Sequence, residues 1–163
     1  MIVIIPLIVI CLLLIIYKSY KEKFKLLNIK INNIEEKLNS TLIKRRELIK
    51  DSEEVIKDVI KTKKEVYEGI AELNNSNLSM MELDRMLIVY INEFYLIEDR
   101  YKKLKNDKRF QKIYFSINET EDLLNAYKSY YNSTIEEYNT LINKFPIIIL
   151  AKLKGKKQKL FFE

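Results

Sequence analysis

Phe110, Ile117, Leu124, Tyr131, Tyr138 and Phe145 fall seven residues apart in the last third of this chain. An apolar residue sustained at every seventh position specifies one long helix with a narrow seam pressed against other helices. The two tyrosines are each followed by an asparagine, Asn132 and Asn139, and Phe145 is followed by Pro146. A proline there stops the helix, because the residue before it is driven out of helical geometry.

The rest of the chain follows the same rule. Tyr20, Phe24, Leu27, Ile31, Ile34 and Leu38 follow a 4-3-4-3-4 spacing, which predicts a helix from about Ile2 to about Lys44 with Glu35, Glu36 and Lys37 on its solvated side. Asp51 or Ser52 is expected to cap a second helix, with Glu53 and Glu54 in its first turn. Its apolar face would be Val55, Ile56, Val59, Ile60, Val66 and Ile70, and Asn74-Asn75-Ser76-Asn77 would end it. Ser79 and Glu82 have the spacing of a capping box. They open a third helix striped by Met80, Leu83, Leu87, Tyr90, Phe94, Ile97, Tyr101 and Leu104. Asn106 and Asp107 end that helix and cap the fourth. Only two Gly and two Pro interrupt 163 residues, so long helices are the natural outcome.

The leading residues set location. Residues 1–17 carry no charge. As a helix they would extend about 25 Å, short of the ~20 residues that usually span a bilayer but within the range that does. Tyr17 and Tyr20 can sit at head-group level, and Lys18 can snorkel. No basic residue precedes the run and no Ala-x-Ala follows it, so an uncleaved anchor is expected rather than a signal peptide. Lys18, Lys21, Lys23 and Lys25 follow the run against a single acid, Glu22. The positive-inside rule then places the bulk of the chain in the cytoplasm at the cell membrane.

The predicted fold is therefore all-α: an N-terminal transmembrane helix continuing into an antiparallel four-helix bundle with shallow, left-handed crossings. The expected division is an anchor at 1–17, a bundle at 18–146 and an apolar, basic tail at 147–163. Seams rich in tyrosine need partners for their hydroxyls. Asn132 and Asn139 read as inter-helix hydrogen bonds that fix register, or, with Tyr131 and Tyr138, as the lining of a ligand site.

Most catalytic chemistries are closed to this chain. It has no histidine, and its one cysteine, Cys11, lies inside the apolar run. Internal disulfides, thiolate or imidazole zinc sites and histidine acid–base catalysis are excluded. With two glycines, neither a P-loop nor a dinucleotide fingerprint can be written. No acidic cluster suggests a carboxylate metal site, and no catalytic residue or cofactor is expected. The net charge is +6 and the pI about 9.2, but acidic residues are interleaved with the basic ones, and no nucleic-acid partner is expected.

The tail has two readings. In it the apolar stretch 147–150 is followed by Lys152, Lys154, Lys156, Lys157 and Lys159 and then by Leu160-Phe161-Phe162. With Lys18 and Lys21, these lysines can lie on anionic head groups. Alternatively, the apolar residues cap the end of the bundle while the lysines face water. Arg45 and Arg46, roughly 40 Å beyond the anchor at the helical rise, read as a solvated turn or as a contact for an acidic partner.

Several of these residues together resemble the LemA family, small bacterial proteins with one N-terminal membrane helix and an all-helical domain. Leu104-Lys105, Phe110, Thr120-Glu121, Lys128 (Arg in the family), Tyr131-Asn132, Tyr138-Asn139-Thr140, Phe145-Pro146, Ala151, Gly155 and Phe162-Glu163 match its pattern in order. A weaker match covers Leu42, Arg45, Glu47-Leu48-Ile49 and Lys57. The family's Leu-Ile-Pro-Asn-Leu-Val stands here as Leu48-Ile49-Lys50-Asp51-Ser52-Glu53, without the proline, and its Tyr-Pro before the last helix stands as Tyr101-Lys102. The resemblance implies a fold and a location, with Tyr131, Asn132, Tyr138, Asn139, Phe145 and Pro146 in structural roles. It implies no catalytic activity. The expectation is a single-pass, membrane-anchored scaffold or adaptor with lipid and an unidentified protein as partners, open to homo-oligomerisation. The alternative is a membrane receptor with a ligand cleft lined by Tyr and Asn.

Overall fold

The computed structural model describes residues 4–74 and 77–162, with Pro6 and Val9 described by their backbone alone. These residues form four α-helices and no strand: α1 (Ile4–Ile60), α2 (Met80–Arg100), α3 (Lys108–Asn143) and α4 (Ile147–Leu153). Short 3-10 turns stand at Ile70–Asn74 and Leu104–Asn106.

The expected break near Lys44 does not occur. The stripe of Tyr20, Leu27, Ile31, Ile34 and Leu38 continues through Leu42, Arg45, Ile49, Ser52 and Ile56, all buried. The alternation of fours and threes is kept, and no Gly or Pro intervenes. Ser52 does not cap a second helix. Its hydroxyl donates to the Ile49 carbonyl at 2.7 Å, a back-bond compatible with mid-helix. α1 stops only at Ile60. There Lys61 takes φ 57°, and the Thr62 N–H donates to the Lys57 carbonyl at 3.1 Å, closing the helix in a Schellman turn. Residues assigned to the rest of a second helix instead form a connection to α2.

α2 opens as expected. The Ser79 side chain accepts from the Glu82 N–H, and the Glu82 side chain accepts from the Ser79 N–H at 2.8 Å. It ends at Arg100, earlier than the stripe to Leu104 suggests, and Leu104 is buried from a 3-10 turn instead. Asp107 Oδ1 accepts from the N–H groups of Arg109 (2.8 Å) and Phe110 (3.1 Å), starting α3.

Phe110, Ile117, Leu124, Tyr131 and Tyr138 are all buried along α3. Phe145, the last member of the repeat, lies past the helix end at Asn143 and is exposed. The chain turns there through a cis Phe145–Pro146 bond and enters α4, formed by the apolar stretch of the tail.

The chain divides into two compact units: Met1–Glu35 with Ser129–Phe162, and Glu36–Lys128. In the second unit α1 and α3 are antiparallel. Asp58 meets Arg109 at 2.7 Å, and Lys44 meets Glu119 at 3.5 Å. α2 is antiparallel to α3 as well: Asp84 pairs with Lys128, and the Tyr95 hydroxyl donates to Asn118 at 2.8 Å. α1 and α2 therefore run parallel, and the described residues 61–74 and 77–79 belong to the connection from the C-terminal end of α1 back to the N-terminal end of α2, with Asn75 and Ser76 of the expected polar turn outside the described residues. Three long helices pack here, where four were expected. Phe94 stacks on Phe110 with ring centroids 4.8 Å apart, and Tyr67 plugs the connection into the core with no exposed surface.

In the first unit α1 packs on the end of α3, with the Phe24 and Tyr138 rings 5.5 Å apart. Ile4, Ile5, Leu7, Ile8, Ile10, Leu12, Leu13, Leu14, Ile15 and Ile16 are all exposed. Among the described residues no helix is long and apolar enough to cross a membrane. The expected span falls partly outside them, at residues 1–3 and the side chains of Pro6 and Val9. Its described part measures only about 20 Å at the helical rise, against ~30 Å of hydrocarbon core.

Candidate functional site

The asparagines that follow the seam tyrosines do not bond to a neighbouring helix. Asn132 donates from Nδ2 to the Phe162 carbonyl at 2.8 Å and accepts at Oδ1 from the Phe162 N–H at 2.7 Å. Asn139 does the same with Lys159: Nδ2 to the carbonyl at 2.9 Å, and the N–H to Oδ1 at 2.9 Å. Each carboxamide thus satisfies both backbone groups of one residue, as a neighbouring strand would.

The spacing explains why two asparagines suffice. Seven residues of α-helix rise about 10.5 Å, and three residues of extended chain cover about 10 Å. Positions 132 and 139 therefore match positions 162 and 159 on a segment running antiparallel to α3. Gly155 delivers the chain into this path. It takes φ 61°, its N–H donates to the Lys152 carbonyl at 3.0 Å, and the Lys156 N–H donates to the Ala151 carbonyl at 2.9 Å. This Schellman turn ends α4 and needs a residue at ease with positive φ.

Side chains lock the two ends of the segment. Phe162 is buried edge-on against Tyr131, with centroids 6.1 Å apart. The Tyr131 hydroxyl donates to the Leu160 carbonyl at 3.4 Å. Burial, with Glu35 nearby, pushes the Tyr131 phenol above its usual range, so it stays a donor. Lys159 Nζ lies 3.8 Å from Glu35 of α1. Leu160 and Phe161, between the anchors, are exposed.

The tail lysines separate into two groups. Lys154 lies over the Tyr17 ring at 5.6 Å, Lys156 over the Phe24 ring at 5.0 Å, and Lys159 faces Glu35. Lys152 and Lys157 are exposed, as are Lys18 and Lys21 on α1. α4 itself lies along α1. Ile147, Ile149 and Leu150 with Ile10, Leu13, Leu14, Tyr17 and Tyr20 line an apolar groove of ≈ 380 Å³.

Arg45 corrects another expectation. It sits mid-helix on the buried stripe, 2 % exposed, and pairs with Glu121. Arg46 beside it bonds Glu47 at 3.0 Å. Neither residue lies in a turn. Among the described residues no group of His, Cys, Asp or Glu could hold a metal ion.

The sequence signals singled out Tyr131, Asn132, Tyr138 and Asn139 but not their partners. Backbone groups 20 and 30 residues away leave no trace in residue type. Gly155, one of two glycines, was the only available signal for the turn that brings them in.

No curated protein and no solved structure shows significant similarity to the chain. The family model described as LemA family matches residues 30–163, which include α3, both asparagines and the segment they hold, and the chain belongs to that family.

Proposed function

We propose that this protein is a membrane-attached, non-catalytic scaffold whose leading helix is buried in lipid and whose bundle stands at the cytoplasmic surface. One observation carries the reading: the described large side chains of α1 between positions 4 and 16 are apolar and exposed. Ten such residues on one helix form a surface far beyond what a water-facing helix presents. A single-pass crossing would draw on Lys18 and Lys21 reaching to the interface.

α4 supports attachment at the same level. It lies beside positions 10–20 of α1, and Phe145, Ile149 and Leu153 are exposed. Exposed Lys18, Lys21 and Lys152 complete an apolar surface rimmed by positive charge, the composition that suits anionic head groups. The residues considered for a small-molecule cleft, Tyr131, Asn132, Tyr138 and Asn139, are engaged with the chain itself, which favours the scaffold.

Alkaline carbonate extraction of membranes tests this. The full chain should stay in the pellet, and a Leu13→Lys, Ile16→Lys double variant should move to the supernatant. Complete extraction of the unaltered chain would contradict membrane burial of α1.

A further inference from the structure

We infer that the α3 face bearing Asn132 and Asn139 is a peptide-binding groove, occupied by the chain's own segment 159–162 as a resident ligand, and able to accept an extended partner segment with a basic residue followed three positions later by an aromatic one.

The groove reads the segment chiefly through its backbone. Its four shortest contacts to the segment all go to backbone N–H and C=O groups. Backbone groups are common to every peptide, so these bonds select an extended conformation and a three-residue spacing, not a sequence. Sequence enters at two points. Tyr131 packs against the ring of Phe162, and Glu35 faces the ammonium of Lys159. The residues between, Leu160 and Phe161, are exposed, so their identity is free. Beside Phe161 an open space lined by Glu136, Asn139, Thr140, Asn143, Lys144 and Gln158 leaves room for other side chains.

The connection suits a ligand that can leave. Nothing lies within 4 Å of a Cβ placed on Gly155, and 154–158 is exposed. Residues 156–162 have no helix or strand of their own. Apart from Lys154 and Lys156 over the Tyr17 and Phe24 rings, what holds the segment is the groove. The inference names what the proposed scaffold would hold, and it would survive the loss of the membrane reading because its test needs no bilayer.

The test uses the full chain, folded in detergent micelles, with a protease site introduced between Lys157 and Gln158 and cut after folding. The probe is a fluorescein-labelled synthetic peptide of residues 156–162, incubated to equilibrium and read by anisotropy. Saturable binding, competed by unlabelled peptide, is expected. N-methylation of the probe at the Phe162 or Lys159 nitrogen should weaken binding about tenfold or more, while N-methylation at Phe161 should change it by no more than about threefold. Phe162→Ala in the probe should weaken it about tenfold. Leu160→Ala should be nearly silent. Asn132→Ala in the protein should weaken binding comparably, and the methylated probes keep the test decisive if that variant fails to fold. If the cut segment never exchanges with the probe, the contact is a permanent strap and the inference is overturned. Equal weakening by methylation at every position would overturn it too.

Discussion

Ser52 Oγ and Tyr67 Oη lie 2.8 Å apart, each without exposed surface. One residue is in the middle of α1 and the other in the connection that returns to α2. This hydroxyl pair, with the Glu53 carboxylate accepting from the Val66 N–H at 3.3 Å, fastens the start of the connection, around Val66 and Tyr67, to a helix. Tyr67→Phe keeps the ring and leaves Ser52 its bond to Ile49, so it should cost about 0.5–1.5 kcal/mol. Tyr67→Ala empties the site and should cost about 3–5 kcal/mol. Urea denaturation of the two variants checks the ordering. Equal losses would mean that the hydroxyl, not the ring, holds the connection.

The same tyrosine gives a pH dependence. Burial pushes the Tyr67 phenol well above its usual 10.0, opposed by the bond to Ser52. A group with a raised folded pKa leaves stability intact below the unfolded value. Above about pH 10 the unfolded chain ionises this phenol and the folded chain does not, so stability falls as pH rises. Denaturation midpoints at pH 8, 10 and 11 should decline above 10 in the wild type and decline less in Tyr67→Phe. An identical decline in both would remove Tyr67 as a cause.

Arg45 is buried on the apolar stripe of α1 and neutralised by Glu121, whose side chain is partly exposed. Arg45 Nε has no hydrogen-bond partner among the described residues. Removing the acid leaves a buried guanidinium uncompensated, whereas replacing the base by an apolar chain of similar reach suits the neighbouring Leu42 and Ile49. Glu121→Ala should therefore destabilise by about 2–4 kcal/mol, discounted from a fully buried pair for the water near Glu121, and Arg45→Met by less. Thermal unfolding of both variants decides it. A larger loss in Arg45→Met would show that the pair itself supplies the stability.

That pair also explains where sequence reading failed. The seam of α3 was legible because its members are apolar and evenly spaced, although the last of them, Phe145, falls past the helix end, and the capping box at Ser79 because both of its residues are local. α1 was split in two because Arg45 and Ser52 occupy stripe positions that period alone would fill with apolar residues. Their partners, Glu121 and Tyr67, are brought in by tertiary packing. The end of α1 was hidden for the same kind of reason, since Lys61 takes the left-handed conformation that Gly usually marks. Asn132 and Asn139 were legible as unusual, but the backbone they bind was not.

Hydrogen exchange resolves that contact residue by residue. In the unaltered chain the amides of Lys159 and Phe162 should be protected, and those of Leu160 and Phe161 should exchange faster. Asn139→Ala should release Lys159, and Asn132→Ala should release Phe162, each raising exchange there about fivefold or more, for the loss of two hydrogen bonds. Uniform protection across 159–162 in either variant would mean that side-chain packing alone seats the segment.

Cys11, the only cysteine, sits exposed in the apolar stretch of α1 and reports directly on whether that stretch is in lipid. In intact membranes, a membrane-impermeant maleimide should leave Cys11 unmodified, and detergent should make it reactive. Full modification of Cys11 in intact membranes, before any detergent, would place the leading helix in water and contradict the account.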